Sequence, residues 1–163
     1  MVSIRVIEIK DEIFQDYKKP SMLIACINCD WKCCKDSGVP NTICQNYKLR
    51  EKSKIKTLSN LEIVNRYLSN IITSGVIFGG LEPFMQFEEI ISLIDCFRWE
   101  TLDDIVIYTG YYEDEIIDKI AVLTKYKNII IKFGRYVPNS QPIYDEILGV
   151  YLASDNQYAK KIS

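Results

Sequence analysis

Histidine does not occur once in this sequence of 163 residues. That excludes a histidine general base, a Ser-His-Asp triad and any zinc site with imidazole ligands. A basic surplus is missing too. The 20 Lys and Arg stand against 22 Asp and Glu, for a formal charge of −2, so the composition does not point to nucleic acid. No apolar run is long enough to span a membrane, since stretches such as 22–27 and 128–131 are only strand-length. The opening Met1-Val2-Ser3-Ile4-Arg5 lacks a charged region followed by an apolar one. No signal peptide is expected from it, and the expected compartment is cytoplasmic. Neither a repeat nor a linker interrupts the chain, and one domain over 1–163 is expected.

Cysteine is what the chain does have. Of Cys26, Cys29, Cys33, Cys34, Cys44 and Cys96, the first five crowd into residues 26–44. In a reducing compartment such crowding favours metal binding or catalysis over disulfides. Thiolates are soft ligands, suited to zinc or to iron–sulfur clusters. Cys29-Asp30-Trp31-Lys32-Cys33 and then Cys44-Gln45-Asn46 could give three thiolates on a loop, which leaves one iron of a [4Fe-4S] cluster open. Equally, Cys26-x2-Cys29 is a zinc-like pair, and with Cys33 and Cys44 it would make a four-thiolate zinc site. The loop alone leaves both open. Cys26 also reads as a buried strand residue and Cys96 as a structural helix residue. Cys34 adjoins Cys33, and neighbouring cysteines rarely share one ion.

Periodicity gives the frame. Strands are expected at 2–9, 21–27, 76–78, 104–108, 128–133 and 149–153, and loops at 11–20, 28–54 and 134–145. Ser59-Asn60-Leu61-Glu62 has capping-box spacing and opens a helix with Leu61, Val64, Leu68 and Ile72 on one face. Further helices are expected at 87–97 and 113–126, with a helical segment at 156–162. Strands alternating with helices imply an α/β fold with a mostly parallel sheet, too short for a closed eight-stranded barrel. A partial, open β/α barrel is expected, with ligands at the carboxyl ends of its strands.

Three further segments follow strands or precede a helix: Gly79-Gly80-Leu81-Glu82-Pro83, Tyr108-Thr109-Gly110-Tyr111 and Ser154-Asp155-Asn156-Gln157. Taken singly, the first two read as plain turns and the third as a helix cap.

Together these segments resemble the radical S-adenosylmethionine superfamily, and more narrowly the activating protein of anaerobic (class III) ribonucleotide reductase. The family's loop is Cys-x3-Cys-x2-Cys-His-Asn. Cys29-x3-Cys33 matches its first half. The third cysteine is matched to Cys44, because Ile43-Cys44-Gln45-Asn46 carries the apolar residue before it and the asparagine two after it. That match requires an eight-residue insertion. Gly80-Leu81-Glu82-Pro83 resembles the family's Gly-Gly-Glu-Pro turn, with Leu81 in place of a glycine. Tyr108-Thr109-Gly110-Tyr111 is similar to its Tyr-Thr-Gly-Tyr segment. Phe133-Gly134-Arg135-Tyr136 with Ser154-Asp155-Asn156-Gln157 resembles its closing region. The family's early Asp-Gly-Pro-Gly stretch is replaced by Phe14-Gln15-Asp16-Tyr17-Lys18-Lys19-Pro20.

The resemblance implies a fold of the radical S-adenosylmethionine type and a [4Fe-4S] cluster on Cys29, Cys33 and Cys44. It implies S-adenosyl-L-methionine contacts at Ile43, Gly79, Gly80, Glu82, Thr109 and Asn156, with Glu82 holding the amino group. The implied reaction is reductive cleavage to a 5′-deoxyadenosyl radical. The implied partners are a glycyl-radical enzyme as protein substrate and reduced flavodoxin or ferredoxin as electron donor. A radical enzyme acting on a peptide or small molecule, and a non-catalytic four-cysteine module, are the alternatives.

Overall fold

Short runs of β-branched residues, punctuated by glycine, proline and asparagine, set the framework. The structure, a computed structural model, describes residues 2–51 and 55–163. The expected cysteine loop ran to Lys54, so its last three residues lie outside the described ones.

Two strands, β1 (Ser3–Val6) and β2 (Glu8–Ile13), stand where one strand was expected, divided at Ile7. Next come β3 (Ser21–Cys26), α1 (Lys32–Ser37), a single 3-10 turn Asn41–Ile43 and α2 (Tyr47–Glu51). The middle of the chain forms β4 (Lys56–Ser59), α3 (Asn60–Leu68), β5 (Gly75–Gly80), α4 (Phe87–Glu100) and β6 (Asp104–Tyr108). Last are α5 (Ile117–Leu123), β7 (Ile129–Phe133), β8 (Ile143–Asp145), β9 (Val150–Leu152) and β10 (Tyr158–Lys161).

The main sheet has six strands in the order β10-β7-β6-β5-β3-β2. The expectation of a mostly parallel, partial-barrel sheet is overturned. Three pairings are parallel, β3–β5, β5–β6 and β6–β7. Four are antiparallel, β1–β4, β7–β10, β2–β3 and β8–β9. The result is a mixed, open sheet with a parallel centre and antiparallel strands on both edges. At the β2 edge the reason is connection length: a parallel neighbour needs a crossover of a dozen or more residues, whereas only residues 14–20 join β2 to β3. At the other edge β10 returns after the β8–β9 hairpin and pairs antiparallel with the free side of β7.

Apolar side chains cover both faces of this sheet. Val76, Phe78, Ile105, Ile107, Ile129 and Ile131 pack under α3 and α4, against Ile63, Val64, Leu93 and Phe97. Ile77, Val106 and Ile130 point the other way, onto Ile13, Tyr17 and the β8–β9 hairpin through Leu148 and Leu152. A smaller cluster, Ile7, Ala25, Trp31, Cys34 and Leu81, lies under the cysteine segment. Among the described residues no helix is long and apolar enough to cross a membrane.

Candidate metal centre

Parallel pairing sends the carboxyl ends of β3, β5, β6 and β7 to one rim. A cavity of about 730 Å³ opens there, lined by Cys29, Cys33, Cys44, Gly79, Gly80, Glu82, Thr109 and Lys132, among others. Seven of the nine residues singled out from the sequence therefore share it. Ile43 and Asn156 are not in its lining. Ile43 sits on the 3-10 turn and is exposed. Asn156 donates instead to the Tyr112 hydroxyl at 2.8 Å and the Arg135 carbonyl at 2.9 Å.

Backbone bonds join the end of β3 to the turn after β5. Leu81 N–H donates to the Cys26 carbonyl at 3.3 Å and Glu82 N–H to the Asn28 carbonyl at 2.6 Å. Ile27 N–H donates to Gln86 Oε1 at 2.8 Å. Gly80 permits the close approach. It has φ +79°, and a Cβ there would meet Ala25 Cα at 3.0 Å.

Cys29 follows this seam. Trp31 N–H donates to its sulfur at 3.3 Å. Trp31 itself holds the left-handed conformation, φ 59°, at the start of α1, which is rare for a bulky residue. The Trp31 ring is buried beside Tyr47, 5.9 Å between centroids. Cys33 lies on the first turn of α1, and its sulfur would be 3.0 Å from a Cβ placed on Gly110. Cys44 closes the 3-10 turn, and Asn46 N–H donates to its sulfur at 3.4 Å. Burial pushes the Cys29 thiol up to about 12, opposed by the Trp31 N–H and reinforced by the nearby charges of Glu82, Asp30 and Cys44. Burial also raises Cys33 and Cys34, and Cys44 acts electrostatically on both.

Ion pairs pin the cysteine segment to the rest of the rim. Arg135 bonds Asp36 at 2.6 Å and Glu115 at 2.5 Å, and Glu115 also pairs with Lys32. The Tyr111 hydroxyl donates to Asp30 at 2.6 Å.

Glu82 is a buried carboxylate, and its oxygens accept three hydrogen bonds. Phe84 N–H at 3.0 Å and the Thr109 hydroxyl at 2.8 Å reach Oε1, and Gly110 N–H at 2.9 Å reaches Oε2. A carboxylate has about four lone-pair sites, so one remains free. Burial pushes Glu82 up to about 6, held in check by those three donors and by the positive charge of Lys132. Lys132 was not anticipated from the sequence. Its one signal was a lone cation within the apolar run Ile129-Ile130-Ile131-Lys132-Phe133.

Residues 24–157 match the family model of the 4Fe-4S single cluster domain, four-fifths of the chain. The chain belongs to that family. It is an iron–sulfur protein whose cofactor is one four-iron cluster. No curated protein and no solved structure matches it.

The donor set fits this family's cofactor. Thiolates hold iron–sulfur clusters, and three cysteines border one cavity. Among the described residues no three Cys, Asp or Glu side chains converge on a single ion. A cluster places each ligand on a different iron, so it does not require that convergence. Cys26, the fourth ligand of the zinc alternative, is fully buried in the main core under α4, with its thiol toward the Ile24 carbonyl. It faces away from the cavity, because neighbouring residues on a strand point to opposite faces.

Proposed function

We propose that Cys29, Cys33 and Cys44 hold the [4Fe-4S] cluster through three of its irons, and that the protein uses it to cleave S-adenosylmethionine. When bound, the cluster supplies one-electron reducing chemistry, directed at a carbon–sulfur bond of the sulfonium. The observation that carries this reading is Glu82. A buried carboxylate with one unused lone-pair site stands on the cavity wall shared by the three cysteines, as a receptor for an ammonium group would. Thr109 and Gly110 fix its orientation. Gly79 puts no side chain on the wall, so a nucleoside can lie close to the backbone there. The likeness of Cys29-x3-Cys33, Gly80-Leu81-Glu82-Pro83 and Tyr108-Thr109-Gly110-Tyr111 to the activating proteins supports the same substrate. On this reading the radical product takes a hydrogen from a glycine of a large partner enzyme, and a reduced flavodoxin or ferredoxin supplies the electron.

Anaerobic reconstitution is expected to give a brown protein with about four irons per chain, as one such cluster requires. Alanine at Cys29, Cys33 or Cys44 is expected to abolish iron uptake, while Cys26→Ala and Cys96→Ala keep it. Full iron in Cys44→Ala would refute the ligand assignment. With dithionite and S-adenosylmethionine, the loaded protein is expected to release 5′-deoxyadenosine. Intact iron with no such product would leave an electron-carrying cluster protein instead.

A further inference from the structure

Lys132 is the fourth residue of β7, a strand whose five residues are all buried. An unpartnered ammonium in such a place is strongly unfavourable, so buried lysines are rare unless a charge answers them. Pairing in the sheet sets Lys132 beside Tyr108 of β6. Its nitrogen stands 5.6 Å from the centre of the Tyr108 ring and donates to the Gly134 carbonyl at 3.2 Å. Lys132, Cys33 and Glu82 line one cavity. Burial pushes the Lys132 ammonium down to about 8, opposed by the charges of Glu82 and Cys33.

We propose that Lys132 is a positioning residue for electron transfer, its buried ammonium placing positive charge in the wall of the cavity that Cys33 lines and raising the midpoint potential of the cluster. The proposal rests on Cys33 being a cluster ligand. One-electron reduction by an external donor adds one negative charge next to the Cys33 sulfur. A cation in a low-dielectric wall favours the more negative state, because Coulomb energy grows as the effective dielectric falls. Cluster potentials respond to net charge and solvent exposure in this way. Glu82 has the opposite sign and offsets part of the effect, so the pair sets the potential together.

The test is a redox titration of the anaerobically reconstituted full chain, followed by electron paramagnetic resonance, with iron counted in every sample. Lys132→Met is expected to lower the midpoint potential at unchanged iron content, and Lys132→Arg to restore it. Glu82→Gln, which leaves the lysine without its counter-charge, is expected to raise it. Lys35→Ala, an exposed lysine on the same helix as Cys33, is expected to leave it unmoved. An unchanged potential in Lys132→Met with full iron overturns the proposal. Should that variant fail to hold iron, an unchanged potential in Glu82→Gln overturns it. Full iron in Cys33→Ala would sink the ligand reading and this proposal with it. Loss of iron there, with no shift in Lys132→Met, sinks this proposal alone.

Discussion

Single atoms decide much of the rim. Gly110 is the sharpest case, since a methyl group there would stand 3.0 Å from the Cys33 sulfur and 3.7 Å from Glu82 Oε2. Gly110→Ala is therefore expected to impair iron uptake at little cost to the sheet, measured as iron per chain against the urea midpoint. Gly80→Ala acts on the fold itself, forcing a side chain onto a positive φ against Ala25. It is expected to destabilise by about 1–3 kcal/mol, read from denaturant unfolding. Glu82→Ala removes a charged acceptor. A hydrogen bond to a charged group contributes roughly 1.5–3 kcal/mol, so on the proposed reading S-adenosylmethionine affinity is expected to fall about tenfold or more while iron content holds. Unchanged affinity would remove Glu82 from the ligand's contacts. The grouping of Cys29, Cys33, Cys44, Gly79, Gly80, Glu82 and Thr109 could be read from the chain, because each ends a strand, follows one or lies on the segment a strand delivers. Lys132 could not, because sheet pairing rather than local spacing brings it to them.

Elements show where pattern misleads. Ser59 does cap α3, its hydroxyl accepting from Glu62 N–H at 3.1 Å. Ser59→Ala is expected to cost about 1 kcal/mol, measured by thermal unfolding. Yet the buried face of α3 is Asn60, Ile63, Val64 and Tyr67, while Leu61 and Leu68, and Ile72 beyond its end, are exposed. Two apolar stripes competed, and contacts with distant partners chose between them. The Tyr67 ring meets Phe97 edge-on at 5.4 Å, its hydroxyl bonds Asp103 at 2.5 Å, and the Asn60 amide bonds Ser92 at 3.0 Å. The terminal segment 156–162 has helical composition but forms strand β10, because the free edge of β7 offers it a ladder. The three-residue strand β8 lies where the sequence predicts a loop, and the four-residue β4 lies ahead of the predicted helix, where no periodicity marks a strand. Neither is long enough to show a period, and each exists through its partner.

Across the molecule, charge ties distant parts of the chain together. Glu115 is held well below the usual carboxylate range, first by hydrogen bonding to Arg135 and then by Lys32 and the Tyr112 N–H. Asp104 is lowered by Lys19 and Tyr17 despite its burial. A carboxylate depressed in the folded state adds stability that is complete above its unfolded value, about 4.3 for Glu and 3.9 for Asp. That contribution is lost as pH falls through the lower folded values. The urea midpoint is therefore expected to hold near neutrality and to drop below about pH 4, in the range of those reference values. Glu115→Gln should flatten part of that drop, and an identical acid profile in the variant would discount the Arg135 network.

The stretch bearing Cys29, Cys33 and Cys44 is fastened at both ends by strands, β3 in the main sheet and β4 against β1. Neither fastening uses a sulfur atom. Air that destroys the inorganic part should thus leave the frame standing, ready for repair. A sample bleached by oxygen, reduced and refilled with iron and sulfide is expected to regain its colour without passing through an unfolded chain.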